Sequence, residues 1–453
     1  MGPFQLMNVT GIPIAVHAAT TLGNELGPFY APAPILKTQM EKKANWAFEG
    51  PADESKLAAV IDRFQGVCLG VAAALVDEGV ATMEDTDRGA KIGLRWLLGP
   101  FEIMNRIGIA KTYAVVQAIC RKYPDFKMPS LLEKQHGLGK PFEFSFVDLD
   151  VKNGVAVITL NRPEAMNALN EAVVAQLGRR FEEAEADARV KAIVFQGAGK
   201  AFVAGADIRY FVEKIKAGRI PDIVAFTRQG HELFLRIEES RKPTIALLDG
   251  LSLGGGSELA LACQAIVATS AGSMAFPETG IGIYPGLGGM LRMARHVGPE
   301  LAKYFAFTGA ALSAADAQAF GIVTRLVPPA EVDAAIQALV AAGRPDKYAA
   351  RPIPEKFKPF AQLFEKARTP VLLSGKIPDG VSAELAGKVA KTLGYKAPMA
   401  LRIANEIVDR QAGLPMREAV AIELARLKDI FATADALEGL SSVGKRRPEF
   451  KGN

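Results

Sequence analysis

The sequence predicts an α+β multidomain chain: an all-α N-terminal part, an α/β part after it, and amphipathic helices to the C-terminus. Three observations carry that reading. An eleven-residue motif at 2–12 returns at 99–109, each time followed by an apolar helical pattern. A two-residue hairpin signal and several buried-strand runs begin beyond residue 142. From Pro398 the apolar spacing is again that of helices.

The repeat comes first. GPFQLMNVTGI and GPFEIMNRIGI agree at seven of eleven positions and start 97 residues apart, at Gly2 and Gly99. A Gly-Pro pair suits entry into a helix, because proline is tolerated in the first turn. Between the copies Leu57, Val60, Ile61, Phe64, Val67, Cys68, Val71 and Leu75 recur every three or four residues. That spacing predicts one buried helix face, stopped near Gly79, and a helical domain over 1–138. The stretch HGLGKP (136–141) reads as a linker.

FSFVDLDV and VAVITL then flank Asn153-Gly154, which predicts a β-hairpin. A helix from about Glu171 would turn Val173, Leu177 and Phe181 inward. AIVFQG (192–197) and TIALLDG (244–250) read as buried strands separated by helices, within a core spanning 139–330. The longest uncharged window, between Glu258 and Glu278, holds Gln264, Thr269, Ser270, Gly272, Ser273 and Pro277. It predicts a buried helix followed by a strand rather than a membrane span. Six prolines and several charges make 331–380 an expected insertion or linker, and 381–453 is expected to be helical up to the basic tail GKRRPEFKGN.

Composition narrows the function classes. A length of 453 residues suggests about three units. Hydrophobic residues at 49% and charged ones at 23% exclude global disorder. With 54 Lys and Arg against 49 Asp and Glu, the net charge of +5 is too mild for a nucleic-acid partner and suits an anionic small ligand. Cys68, Cys120 and Cys263 form neither a disulfide framework nor a zinc spacing, which points to a reducing compartment. The N-terminus has no charged segment leading into an apolar run, so a cytoplasmic chain with no membrane anchor is expected.

No GxGxxG follows a strand and no GxxxxGK[ST] occurs, so hydride transfer by this chain is not supported. Gly250–Gly254 reads GLSLG and matches a serine-hydrolase elbow. Its triad would have to use His296, the one histidine after Ser252, with no Asp between them. A different chemistry fits the same segment better. Gly254, Gly255 and Gly256 remove side chains where a strand enters a helix, which lets a carbonyl oxygen reach N–H groups that the helix leaves unpaired. Glu258 follows in the first turn, either as a base near that carbonyl or as a complement to the helix dipole. Glu278, in FPETGIG, stands on a tight loop that is either a second acid/base position or a surface turn. In GKAFVAGADIR, Ala204, Gly205, Ala206 and Asp207 follow a strand and present a second set of amides, unless they form an ordinary β-to-α turn.

Taken in order, LNRPEAMNAL (160–169), GKAFVAGADI, DGLSLGGGSELA, FPETGIG and PGLGG resemble the enoyl-CoA hydratase (crotonase) family over about 142–330 and on to the C-terminus. The resemblance implies a crotonase-like β/β/α spiral with C-terminal helices. It implies that the N–H groups of Ala206 and Gly255 hold a thioester oxygen, and that Glu258 activates water while Glu278 delivers a proton to C2. Ala204, Asp207, Ile208, Arg209 and Lys445 stand where such proteins bind coenzyme A, and Ser442 stands where many have a phenylalanine. The implied activity is hydration of a trans-2-enoyl-CoA, with an enoyl-CoA isomerase or a non-catalytic subunit as alternatives. Coenzyme A enters as part of the substrate, with no prosthetic group and no metal, and a homo-oligomer, trimer or hexamer, is expected.

The helical part, with EGVAT, DTDRGAKIG and GPFEIMNRIG, resembles the C-terminal domain of 3-hydroxyacyl-CoA dehydrogenases. This implies a dehydrogenase/hydratase fusion that lacks its NAD-binding domain, as a fragment or a natural truncation. NAD would enter only with that domain supplied, as a partner subunit for instance. Phe4, Leu6, Met7 and Ile12 would then lose packing surface and favour a partner chain or self-association.

Overall fold

The computed structural model describes every residue except 1, 51, 52, 344–346 and 350. The chain divides into two units, Met1–Phe144 and Ser145–Asn453.

In the first unit each copy of the repeat makes the same helix pair: Pro3–Thr10 with Ile12–Leu26, and Pro100–Ile107 with Ile109–Lys122. The break within each pair is a glycine at positive φ, Gly11 at +101° and Gly108 at +90°, where a side chain would be strained. In the second copy the helix start at Pro100 is capped by buried Asp87, which accepts from Phe101 N at 2.7 Å and Glu102 N at 3.0 Å. The long helix Glu54–Asp77 packs closely on Ile109–Lys122, because a Cβ on Gly66 would lie 2.5 Å from the Val115 carbonyl oxygen.

The buried face of that helix is therefore Gly66, Leu69, Gly70, Ala72 and Ala73. The row of larger residues expected to be buried is so only in part of its second half: Leu57, Val60, Ile61 and Phe64 are exposed, while Val67 and Val71 pack against the core. Close helix contact placed the small residues Gly66, Gly70, Ala72 and Ala73 inside beside Leu69 and left the large residues ahead of Gly66 outside. By length and hydropathy alone this helix could cross a bilayer. Ile12 is buried while Phe4 and Leu6 are exposed, so the apolar surface expected at the first repeat is only partly realised. The unit also runs past residue 138, since Phe142 stands edge-on to Phe101 at 5.0 Å and Asn105 bonds both its N–H and its carbonyl.

Among its described residues the second unit holds ten strands: β1 (Val147–Lys152), β2 (Val155–Leu160), β3 (Ala192–Gly197), β4 (Ala201–Ala204), β5 (Thr244–Leu248), β6 (Leu251–Leu253), β7 (Ala265–Ala268), β8 (Ser273–Ala275), β9 (Leu312–Ser313) and β10 (Arg325–Leu326). Asn153 and Gly154, both at positive φ, turn β1 into antiparallel β2 with Lys152 opposite Val155. One sheet runs β1-β2-β3-β5-β7-β10, parallel after the first pair, and a smaller one runs β4-β6-β8-β9. The helix Glu171–Ala186 buries Val173, Leu177 and Phe181. The uncharged window makes one helix, Gly255–Ala262, and then two short strands, β7 and β8, instead of one.

Residues 331–380 are not a linker. They include the helices Val332–Ala342, Lys358–Leu363 and Thr369–Leu373, and Phe357, Leu363, Phe364 and Leu372 join the main core. Pro359 and Pro370 sit in the first turns of two of these helices, where proline is tolerated. In the smaller sheet β4, β6 and β8 are parallel neighbours, so the segments leaving their C-terminal ends emerge side by side. Those segments begin at Gly205, Gly254 and Phe276.

Candidate active site

The first wall of the site is the segment after β4. It is braced by LNRPEAMNAL, whose buried Asn167 donates from Nδ2 to the carbonyls of Ala198, Ala201 and Phe202 and accepts from Arg162 N at 2.9 Å. Ala204 N donates to Met166 O, Leu169 N to Gly205 O and Asp207 N to Leu169 O. This ladder skips Ala206 N, which has no acceptor among the described residues.

The second wall is the turn from β6 into Gly255–Ala262. Gly254 adopts φ +46°, and a Cβ there would lie within 2.3 Å of Glu278 Oε1. A Cβ on Gly256 would stand 1.9 Å from the Val203 carbonyl oxygen, so only glycine lets this helix dock on β4. Gly255 N heads the helix and likewise has no acceptor among the described residues. The Cβ position of Gly255 is 3.9 Å from the Gly205 carbonyl carbon, which places the two open N–H groups on neighbouring segments.

Glu258 and Glu278 are both buried, at 2% and 7% exposure, and line one cavity of about 340 Å³ with Ala204, Ala206, Ile208 and Gly255. Glu258 Oε1 accepts from Leu287 N at 2.7 Å and Gly289 N at 2.9 Å, leaving Oε2 for the cavity. Burial and the charge of Glu423 push its pKa up to about 8, against the pull of those two donors and Arg292. Glu278 is raised well above the ordinary carboxyl value by burial and then by Glu258, and its Oε2 is buried with no partner among the described residues. Burial and their mutual proximity thus raise both carboxyls, which suits a pair that holds one proton between them. Two N–H donors beside a base and an acid can stabilise an oxyanion while a proton is taken and another given.

The remaining expected residues divide. Asp207 caps the helix Ile208–Lys216, and Arg162 contacts its Oδ2 with both guanidinium nitrogens at 3.1 Å. Burial works against the Asp207 anion, but Arg209 and Arg162 outweigh it and hold the carboxyl below its ordinary value. Its side chain is therefore committed within the chain. The side chain of Arg209 is 77% exposed beside it. Lys445 is exposed, bonds Ser441 O at 3.1 Å, and lies outside the cavity lining. Ser442 is buried on Glu438 O, and Val443 lines the cavity instead. Ser252, the elbow candidate, is fully buried against Ser257, while His296 lines a separate pocket with Cys263 and Lys347.

Several residues here carry no motif. Phe211, Tyr284, Leu427 and Phe431 line the cavity, with Phe211 and Phe431 stacked at 5.2 Å. Glu423 and His231 lie buried behind Glu258, their Oε1 and Nε2 atoms 3.1 Å apart. Each is a single polar residue inside an ordinary amphipathic helix, so no motif marks it.

Residues 155–451 match the enoyl-CoA hydratase/isomerase family, and residues 60–141 match the 3-hydroxyacyl-CoA dehydrogenase C-terminal domain. A probable enoyl-CoA hydratase of Rhizobium meliloti is 31% identical over 67% of this chain and 96% of its own length. A short-chain-enoyl-CoA hydratase of Clostridium acetobutylicum is 39% identical over 42% of this chain and 72% of its own. Among solved structures, an enoyl-CoA hydratase from Rhodobacter sphaeroides superposes with a TM-score of 0.59 at 27% identity, covering 68% of this chain and 93% of that one.

Proposed function

The chain belongs to the enoyl-CoA hydratase/isomerase family, and from that premise we propose that it adds water across the C2–C3 double bond of a trans-2-enoyl-CoA. Its substrate is an acyl-CoA thioester, and the reaction needs no prosthetic group. The observation that carries the reading is the convergence of two buried glutamates and two open N–H groups on one apolar cavity.

The thioester oxygen accepts from Ala206 N and Gly255 N. Glu258 Oε2 takes a proton from water as the water oxygen bonds to C3. The π electrons shift through C2 toward the thioester oxygen, where the two N–H groups stabilise the growing charge. Backbone donors fixed in a dry site favour that charge over the neutral substrate, each worth about 3 kcal/mol. Glu278 then gives its proton to C2, and the two carboxyls exchange a proton to reset. Ala204 and Ile208 flank the cavity, and Arg209 and Lys445 supply positive charge for the coenzyme phosphates.

The same reading proposes a homo-oligomer, trimer or hexamer, and a cytoplasmic location that suits three free cysteines. The test is loss of crotonyl-CoA absorbance on adding the protein without NAD. Glu278→Gln should lower kcat by about 10²-fold or more with the thioester still bound. An unchanged rate in both Glu258→Gln and Glu278→Gln would remove the assignment.

A further inference from the structure

Behind Glu258 the chain holds a further buried carboxylate, one that the hydration step does not use. Glu423, on the helix Met416–Ala425, is fully buried 165 positions along the chain from Glu258. Three consecutive N–H groups join the two. Leu287 N and Gly289 N donate to Glu258 Oε1, and Gly288 N between them donates the other way, to Glu423 Oε1 at 2.8 Å.

The segment is fastened at other points as well. Tyr284 Oη donates to the Glu423 carbonyl at 2.7 Å, and Arg292 Nη1 donates to Leu287 O at 3.1 Å. Gly288 sits at φ +87°, and a Cβ there would be 2.3 Å from Arg292 Nη1, so the turn that aims its N–H at Glu423 admits no side chain. The loop that defines where Glu258 Oε1 lies is thus itself defined by Glu423. His231 stands on the far side, its Nε2 3.1 Å from Glu423 Oε1 but not aligned for a hydrogen bond.

We infer that Glu423 is a positioning residue for Glu258: through Gly288 N it holds the 287–289 loop, and with it the two donors to Glu258 Oε1, in register. Its carboxylate, buried behind Glu258, also opposes the ionisation of Glu258. The inference rests on the hydratase reading of the site. A buried carboxylate with one oxygen on a main-chain donor and the other without a partner among the described residues is costly to keep for packing alone. Leucine of similar volume would serve a purely structural position.

The test compares Glu423→Gln and Glu423→Leu with the wild type on crotonyl-CoA, as kcat and KM across pH, alongside melting temperature. Glutamine keeps an acceptor for Gly288 N and drops the charge; leucine drops both. Glu423→Leu should lose roughly 10- to 100-fold in kcat with KM little changed, the scale expected when a reacting group is displaced by about an ångström. Glu423→Gln should keep its plateau kcat within about fivefold, with the acid limb of its profile moved to lower pH. The charged and titratable groups around the pair are Glu278, Arg292, His231, Tyr284 and Arg426, all unchanged in these variants.

A folded Glu423→Leu with wild-type kcat overturns the inference. So does a Glu423→Gln profile that superposes on the wild type, which decides the matter even where the leucine variant fails to fold. A wild-type chain inactive on crotonyl-CoA overturns the functional reading and this inference with it. An active wild type with indistinguishable variants overturns the inference alone.

Discussion

Glu258→Gln should make this protein slower and more stable at once. In the folded chain burial and Glu423 raise the Glu258 pKa to about 8 from an ordinary 4.5. The folded state therefore holds this proton more tightly than the unfolded state. Its contribution to stability is full below pH 4.5 and is lost as the pH rises toward 8. At about 1.4 kcal/mol per pH unit the loss at pH 7 is roughly 3 kcal/mol. Glutamine has no charge to desolvate, and its Oε1 can still accept from Leu287 N and Gly289 N. The variant should therefore melt about 5 °C higher than wild type near pH 7 or 8, with almost no difference at pH 5. Its amide cannot take a proton from water, so kcat should fall by about 10²- to 10⁴-fold. Calorimetric melting at the two pH values, with crotonyl-CoA hydration on the same samples, reads both effects. A gain equal at both pH values, a loss of stability at pH 8, or a fall in kcat under tenfold would refute the reasoning.

Hydration by the wild type should follow a bell displaced to alkaline pH. The rate rises as Glu258 ionises toward about 8 and falls as Glu278, itself raised well above the ordinary carboxyl value by burial and by Glu258, gives up its proton. A rising limb at ordinary carboxyl pH in kcat/KM would contradict this. Gly256→Ala forces a Cβ to 1.9 Å from a backbone oxygen that has nowhere to go, so denaturant unfolding should show a loss of about 3 kcal/mol or more. Phe431→Ala removes the ring stacked on Phe211 at the cavity wall. It should raise the kcat/KM ratio of hexenoyl- to crotonyl-CoA by about 30-fold, since hexenoyl carries two more methylenes and each one accommodated is worth about 1 kcal/mol.

The parts of the site that are legible in the sequence are those that steric demand writes there. Gly254, Gly255 and Gly256 announce a strand-to-helix turn under close approach, and that turn locates Glu258. Glu278 is visible through the proline and glycines around it. Glu423 is not, because a carboxylate inside an ordinary helix resembles a solvated one until tertiary packing buries it. The helix Glu54–Asp77 misleads for a related reason: it has two apolar faces, and the one made of small residues wins the interior because it lets backbones meet. In 331–380 the prolines signal helix starts as readily as linkers, and spacing alone does not distinguish them.

On the proposed reading, polarisation of the carbonyl belongs to the peptide groups at 206 and 255, and handling of protons belongs to the side chains of Glu258 and Glu278. A point substitution can delete or relocate a carboxyl, but it cannot readily delete a peptide N–H. A scaffold built this way is free to exchange one reaction for another during descent while its grip on the same class of ester survives each exchange.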